Sequence, residues 1–242
     1  MNTKLSKAET ARIMKEERQR LNDTIDEHAL DIIRDKDEYI SFLNLYSRLN
    51  FSIRNSLLIH AADPDATAIN SFAGWKKAGI RVKNKEKSFR IFVPNGTYTR
   101  KDGTEAPSFT IKTVVDISAT DAKPDKPQLY DPREVRDSLI FGDEESYEGM
   151  SLSDAIDYAC KQAGEPNDEF TIAAAAYALK HRYGVTPNSF DGDVVSYFSD
   201  TTVPEGAKSQ LREVHTIYQA IREKIDLGLY LRKKEKTNEQ QR

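Results

Sequence analysis

From Lys7 to Arg34 the chain holds no proline or glycine, and Met14, Leu21, Ile25, His28, Ala29 and Ile32 recur at helical spacing opposite a charged face. This pattern predicts a long amphipathic helix. Asp35 or Asp37 can cap a second helix carrying Tyr39, Ile40, Phe42, Leu43 and Tyr46. A third, short helix is predicted over 52–62, ended by Asp63-Pro64. The period then changes. Phe89, Ile91 and Val93 alternate with Arg90 and Phe92, as in a strand closed by Pro94. Phe109, Ile111, Thr113 and Val115 alternate in the same way, and Asn95–Pro107 between them carries Asn-Gly and Asp-Gly turn signals. The two runs predict an antiparallel hairpin with a long polar tip, and Val82 begins a further short strand or the turn that feeds the first.

The pattern breaks from Asp121 to Met150, where Pro124, Pro127, Pro132 and an acidic GDEES cluster predict a linker. Beyond it the helical period returns. Ser151 and Asp154 occupy the reciprocal positions of a capping box. A helix follows over 168–183 and stops at Gly184, and a short one covers 194–198. Pro204 stands at the first position of a final helix, in which Leu211, Val214, Tyr218, Ile221 and Ile225 form a narrow seam suited to a partner helix. The fold class predicted is α+β: N-terminal helices packed on a small antiparallel sheet or hairpin, then a mostly helical C-terminal region. The domains predicted are 1–120, a linker at 121–150, and a helical domain at 151–242.

Bulk composition narrows the function classes. The 242 residues are 38% hydrophobic and 31% charged, with a net charge of −3. No run approaches the ~20 apolar residues that cross a bilayer, and the N-terminus has no apolar signal region, so a cytoplasmic protein is expected. A chain this close to neutral cannot coat DNA by bulk charge, so any nucleic-acid contact must be focused in one place.

The search for catalytic chemistry finds little. Cys160 is the only cysteine, which excludes an internal disulfide and a cysteine metal cluster. The histidines, His28, His60, His181 and His215, are scattered without HExxH or any i, i+3 or i+4 pair, and each reads as a surface or half-buried helix residue. No GxSxG, GxxxxGK[ST] or GxGxxG occurs. Asp191-Gly192-Asp193 lacks the later ligands of a calcium loop. No catalytic residue, metal or cofactor is assigned, and no enzymatic activity is expected.

One stretch stands apart. Asn70–Pro94 holds the only tryptophan, Trp75, with Phe72 three residues before it. It gathers Lys76, Lys77, Arg81, Lys83, Lys85, Lys87 and Arg90 around a single acid, Glu86. Cations for phosphates and a flat ring for a base are what a single-stranded nucleic acid needs. A run of charge serving solubility alone would mix signs. Phe72 and Trp75 share a face of a helical turn, and each has a second reading as a core anchor. The chemistry of phenylalanine favours burial for Phe72, whereas an amphipathic tryptophan fits either role. Arg54 and Asn55, on the preceding helix, are candidate polar contacts, although Asn55 can instead hold that helix to the sheet.

These residues resemble a known family. FSIRNSLLI, then PDAT, then NSFAGWKKAGIRVKNKEKSFRIFVP, then FTIKTVVDISAT is similar to the N-terminal single-stranded-DNA-binding domain of ArdC-type antirestriction and LtrC-like proteins, which also occurs in TraC-type conjugative primases. The resemblance runs over about residues 35–121 and rests on ordered blocks: Phe51, Ser52, Asn55, Leu57, Leu58 and Ile59; Trp75, Gly79, Val82, Lys83, Lys85, Lys87 and Pro94; Val115, Asp116, Ile117, Ser118 and Thr120. Phe51 replaces the family's usual tyrosine, and Lys85 stands in place of a glycine. Full-length members continue into a zinc metallopeptidase-like domain. Here EFTIAAAAYALKHRYGV is similar to its later helix, but Ala173 falls at the glutamate ligand and HExxH is missing. The resemblance thus implies a degenerate, metal-free second half.

It also implies a single-stranded-DNA-binding protein of a plasmid, integrative element or phage that escorts or protects transferred DNA, with possible antirestriction activity. Trp75 and Phe72 would stack bases, and the cations would hold phosphates. The alternative is a protein-interaction module. It would bind a conjugation or host-defence protein, such as a restriction enzyme, through the basic island or the seam at Leu211–Ile225.

Overall fold

The computed structural model of the chain describes residues 6–123, 130–185 and 190–240. Each of the first three helices begins where a short polar side chain replaces the missing intrahelical acceptor. The Ser6 hydroxyl accepts from the Glu9 N–H, and the Glu9 carboxylate accepts from the Ser6 N–H, opening α1 (Lys7–Ile32). Asp35 caps α2 (Lys36–Leu49), which ends at Asn50 in the left-handed region. Ser52 caps α3 (Ile53–Ala62).

Strand β1 (Ile69–Ser71) runs into the single-turn helix α4 (Phe72–Lys77), and the hairpin of β2 (Ser88–Thr99) and β3 (Glu105–Asp116) follows. The three strands form an antiparallel sheet in the order β1-β3-β2, with Ile69 opposite Asp116 and Phe92 opposite Ile111. The hairpin is longer than the alternation predicts. Pro94 does not end β2; the strand continues to Thr99 after a register shift between Pro94 and Thr97, and the turn shrinks to Arg100–Thr104. Pro94 is tolerated because it lies on an edge strand, two residues beyond Phe92. The N–H that proline lacks would point away from β3, as that of Phe92 does.

The C-terminal part contains α5 (Pro132–Ile140), α6 (Leu152–Gly164), α7 (Glu169–Arg182), α8 (Val194–Tyr197) and α9 (Pro204–Gln240). The capping box of Ser151 and Asp154 is present, and Gly184 has φ 69° where α7 stops. The chain is thus α+β, with most of its residues in helices.

Two expectations need correction. The stretch expected to be a linker holds α5, opened by Pro132 and capped by Asp131; Pro124 and Pro127 lie outside the described residues. No division into separate cores follows it. One buried cluster joins Leu21, Phe42 and Leu57 to Val135, Leu179 and Leu211. Polar bonds stitch the same boundary: the Tyr39 hydroxyl donates to Gln210 at 3.2 Å, and Tyr46 Oη lies 2.7 Å from His215 Nδ1. Helices α2 and α7 meet directly, with Ser47 Oγ 2.8 Å from His181 Nδ1. The seam of α9 is buried in this core, so Leu211, Val214, Tyr218, Ile221 and Ile225 have no free face for a partner helix. Local patterning identifies an apolar stripe but not whether its complement lies in the same chain.

Among the described residues no helix is long and apolar enough to cross a membrane.

Candidate nucleic-acid interface

The basic stretch is built on a small satellite core. Ser71 caps α4 through the Gly74 N–H at 3.0 Å. That one turn drives Trp75 inward, where it packs with Val115, Ile117 and Ala119. The Trp75 indole N–H donates to the Val115 carbonyl at 3.0 Å. Gly79 then turns the chain at φ 76°, a conformation that side chains disfavour, and the Ile80 N–H closes on the Trp75 carbonyl at 2.9 Å.

The next residues are laced to the segment after β3. Arg81 and Asp121 exchange backbone contacts, because the Arg81 N–H donates to Asp121 Oδ1 and the Asp121 N–H donates to the Arg81 carbonyl. Val82 bridges to Thr120, and the N–H groups of Lys83 and Asn84 both reach the Ala119 carbonyl. Asp116 anchors the far side. Its carboxylate accepts from the N–H groups of Thr67, Ala68 and Ser118 at 2.8–2.9 Å. Burial alone would raise its pKa, but these donors hold it below the usual carboxylate range.

A concavity of about 390 Å³ opens on this framework. Partly buried Phe72, Ile80 and Val82 line it, and Lys76, Arg81 and Lys85 stand at its rim. Lys77, Lys83 and Lys87 are also exposed. Among the described residues, none of these cations forms an ion pair. Other surface cations do pair, as in Lys180–Asp157 and Arg232–Asp137. The arrangement provides an apolar floor, one accessible aromatic ring and a rim of unneutralised positive charge.

The expected site residues fall into groups. Phe72, Lys76, Lys77, Arg81, Lys83, Lys85 and Lys87 belong to this surface. Trp75 does not. It is 7% exposed with its only polar atom bonded, so the ring cannot serve as a stacking platform. Phe72 takes the position that the sequence offered to Trp75. Trp75 fills the gap against Val115 and bonds its carbonyl, and Phe72 packs on the edge of the same cluster, partly open to solvent. Asn55 is also framework: it is buried and bonds both backbone groups of Phe92. Arg90 lies in β2 and pairs with Glu17 at 3.2 Å. Arg54 stacks on the Phe92 ring, 3.6 Å from its centroid, and donates to Asn22. Ile80 and Val82 were missed as lining residues, although an apolar residue on either side of Arg81 within a basic run is a legible signal.

His28, His181 and His215 are half-buried helix residues, as expected, whereas His60 is fully buried. His28 Nε2 lies 2.8 Å from His60 Nδ1, and His60 Nε2 lies 2.9 Å from Ser41 Oγ. Burial holds all four imidazoles below their ordinary value. Burial also pushes the Cys160 thiol up, which leaves it without thiolate character. Ala173 faces solvent on α7, away from any interior position. Among the described residues no three His, Cys, Asp or Glu side chains gather as metal ligands.

No family model, curated protein or solved structure matches the chain.

Proposed function

We propose that the protein binds single-stranded DNA through the concavity around Phe72. The observation that carries this reading is the cluster of exposed, unpaired cations around a partly accessible ring on an apolar floor. A base can stack on Phe72 while Lys76, Arg81 and Lys85 meet phosphates on either side. The shallow opening favours an unpaired strand, whose bases are free to turn toward the protein. The ordered sequence blocks that resemble the ArdC-type domain support the same ligand, and with it a role in escorting or protecting DNA of a mobile element.

Fluorescence anisotropy of labelled oligonucleotides tests the reading. Single strands bind in preference to duplex, and log affinity falls against log salt with a slope near −3.5 if about five cations engage, from roughly −0.7 per phosphate. Equal affinity for both forms, or an affinity indifferent to salt, overturns it. The competing reading, a protein-interaction module, rests on the basic island alone, because the α9 seam is occupied by the protein's own core.

A further inference from the structure

A second cleft, larger than the first, lies between α1, α3 and the start of α9. Its volume is about 560 Å³, within the ~300–1,000 Å³ typical of small-molecule sites. The floor is aliphatic, made by Ile25, Ile53 and Leu57. Arg54, Lys208 and Arg212 line it, together with the amides of Gln19 and Asn22 and the carboxylate of Asp26.

The charges do not cancel. Lys208 Nζ lies 2.6 Å from Asp26 and 3.2 Å from Glu205, and Glu205 also binds Arg212. That leaves two acids for two cations. Among the described residues, no acid pairs with Arg54. Its guanidinium lies over the Phe92 ring and donates to the neutral Asn22 amide. A second guanidinium, Arg18, stands 5.5 Å from the same ring and donates to the Phe109 carbonyl rather than to a carboxylate. Burial lowers the Arg54 pKa, and repulsion from Arg18 lowers it further, against a smaller pull from Asp26. Two half-buried guanidiniums around one ring, neither in an ion pair, make a place where an anion lowers the energy.

We propose that this cleft binds a nucleoside phosphate. The phosphate sits against Arg54, with Lys208 and Arg212 within reach from α9. The flat base lies on the Ile25, Ile53 and Leu57 floor, and Gln19 and Asn22 offer it both donors and acceptors. An inorganic anion alone would leave the aliphatic floor uncovered, and a neutral nucleoside would leave the guanidinium unmet. The ligand can be a free nucleotide or the phosphorylated end of a DNA strand. The inference rests on this cleft and not on the island around Phe72.

Calorimetric titration of the full chain with thymidine 5′-monophosphate, thymidine and inorganic phosphate provides the test. The monophosphate binds at least tenfold more tightly than either fragment. Lys208→Met and Arg212→Ala each weaken it fivefold or more, whereas Lys85→Glu in the island leaves it unchanged. Displacement by a 5′-phosphorylated oligonucleotide, but not by its unphosphorylated form, identifies the strand end as the source; displacement by neither identifies a free nucleotide. No heat at millimolar monophosphate, phosphate binding as tightly as the nucleotide, or loss of binding in Lys85→Glu overturns the proposal. The last of these outcomes would move the nucleotide to the Phe72 surface. Loss of oligonucleotide affinity in Lys85→Glu with monophosphate binding intact separates the two sites.

Discussion

The Asn55 carboxamide bonds both backbone groups of Phe92: its NH₂ donates to the Phe92 carbonyl at 2.8 Å, and its oxygen accepts from the Phe92 N–H at 2.9 Å. The side chain thus occupies the place of a neighbouring strand at the open edge of β2. It also fixes α3 against the sheet, and Arg54, the residue before it, lies over the Phe92 ring. An unpaired strand edge invites association with other chains, and here a single amide covers its middle.

Replacing Asn55 with Ala removes both bonds and leaves a buried N–H and C=O unpaired. The cost should be about 2–6 kcal/mol, from roughly 1–3 kcal/mol per orphaned group. Urea denaturation measures it. The folded fraction of the variant should retain its oligonucleotide affinity, because Asn55 faces the sheet and not the proposed interface. A stable variant that has lost DNA binding would instead make Asn55 a contact residue.

Phe72 and Trp75 should separate cleanly on mutation. Phe72→Ala should weaken single-strand binding by about 1–3 kcal/mol, the usual value of one stacked base, and lower the urea midpoint modestly because the ring also packs on the satellite core. Trp75→Phe should lose the bond to Val115 and destabilise by about 1 kcal/mol while keeping its affinity. Because the indole is buried, its emission should be blue-shifted and should change little when an oligonucleotide is added. A strong quench on binding would contradict this geometry.

Charge reversal at Arg81 or Lys85 should reduce affinity and make the salt slope shallower by roughly 0.7 for each phosphate no longer engaged. Stability should be nearly unchanged, since neither side chain has an ionic partner to lose. Thermal unfolding beside anisotropy at two salt concentrations distinguishes the effects.

The buried histidines set a pH limit. Burial pulls His60 to about 4, with further repulsion from His28 and Arg48 and a small opposing pull from Asp65. A ring whose pKa folding depresses is neutral in the native state and protonates more readily when unfolded. Its contribution is therefore present above the unfolded value of 6.5 and lost as pH falls toward 4. His28, His181 and His215 shift in the same direction. Stability should decline from about pH 6.5 downward, by on the order of 2 kcal/mol for His60 after allowing for solvent screening. A His60→Gln variant should show a shallower decline. A urea midpoint that is constant from pH 7 to 4.5 would show that the imidazoles stay accessible to protons in the folded protein.

Gly228 tests the union of the C-terminal helices. A Cβ there would lie 2.6 Å from Ser138 Cβ and 2.7 Å from the Ser138 carbonyl oxygen, so α5 and α9 must separate to admit one. Gly228→Ala should cost about 1–3 kcal/mol. If α5 were part of a loose linker, the same change would be neutral by urea denaturation.

The helices were legible because their signals are local. The charged and apolar faces of α1, the caps Asp35 and Ser151, and Pro204 at the start of α9 all act within one or two turns. The basic run around Arg81 was legible for the same reason, since composition needs no tertiary context. The sequence blocks around Asn55, Trp75, Gly79 and Asp116 were visible as a pattern, but their roles were not. Each completes a bond or a turn that depends on a distant segment: Phe92 for Asn55, Val115 for Trp75, and Thr67 and Ala68 for Asp116. They hold the surface in shape, and the exposed cations and Phe72 present it.

By itself, then, the chain determined where α1, α2, α6, α7 and α9 begin, that a hairpin follows α3, and that positive charge concentrates between Lys76 and Arg90, but not that α5 lies in the stretch read as a linker. Those features depend on neighbours a few residues away. The tertiary structure decided which aromatic ring of α4 stays partly open to solvent, that His28 meets His60, that Arg18 and Arg54 share one ring without a paired acid, and that α9 finds its complement inside the same core. Each of those outcomes depends on how much space and which partner a distant segment provides, and periodicity along the chain carries no record of either.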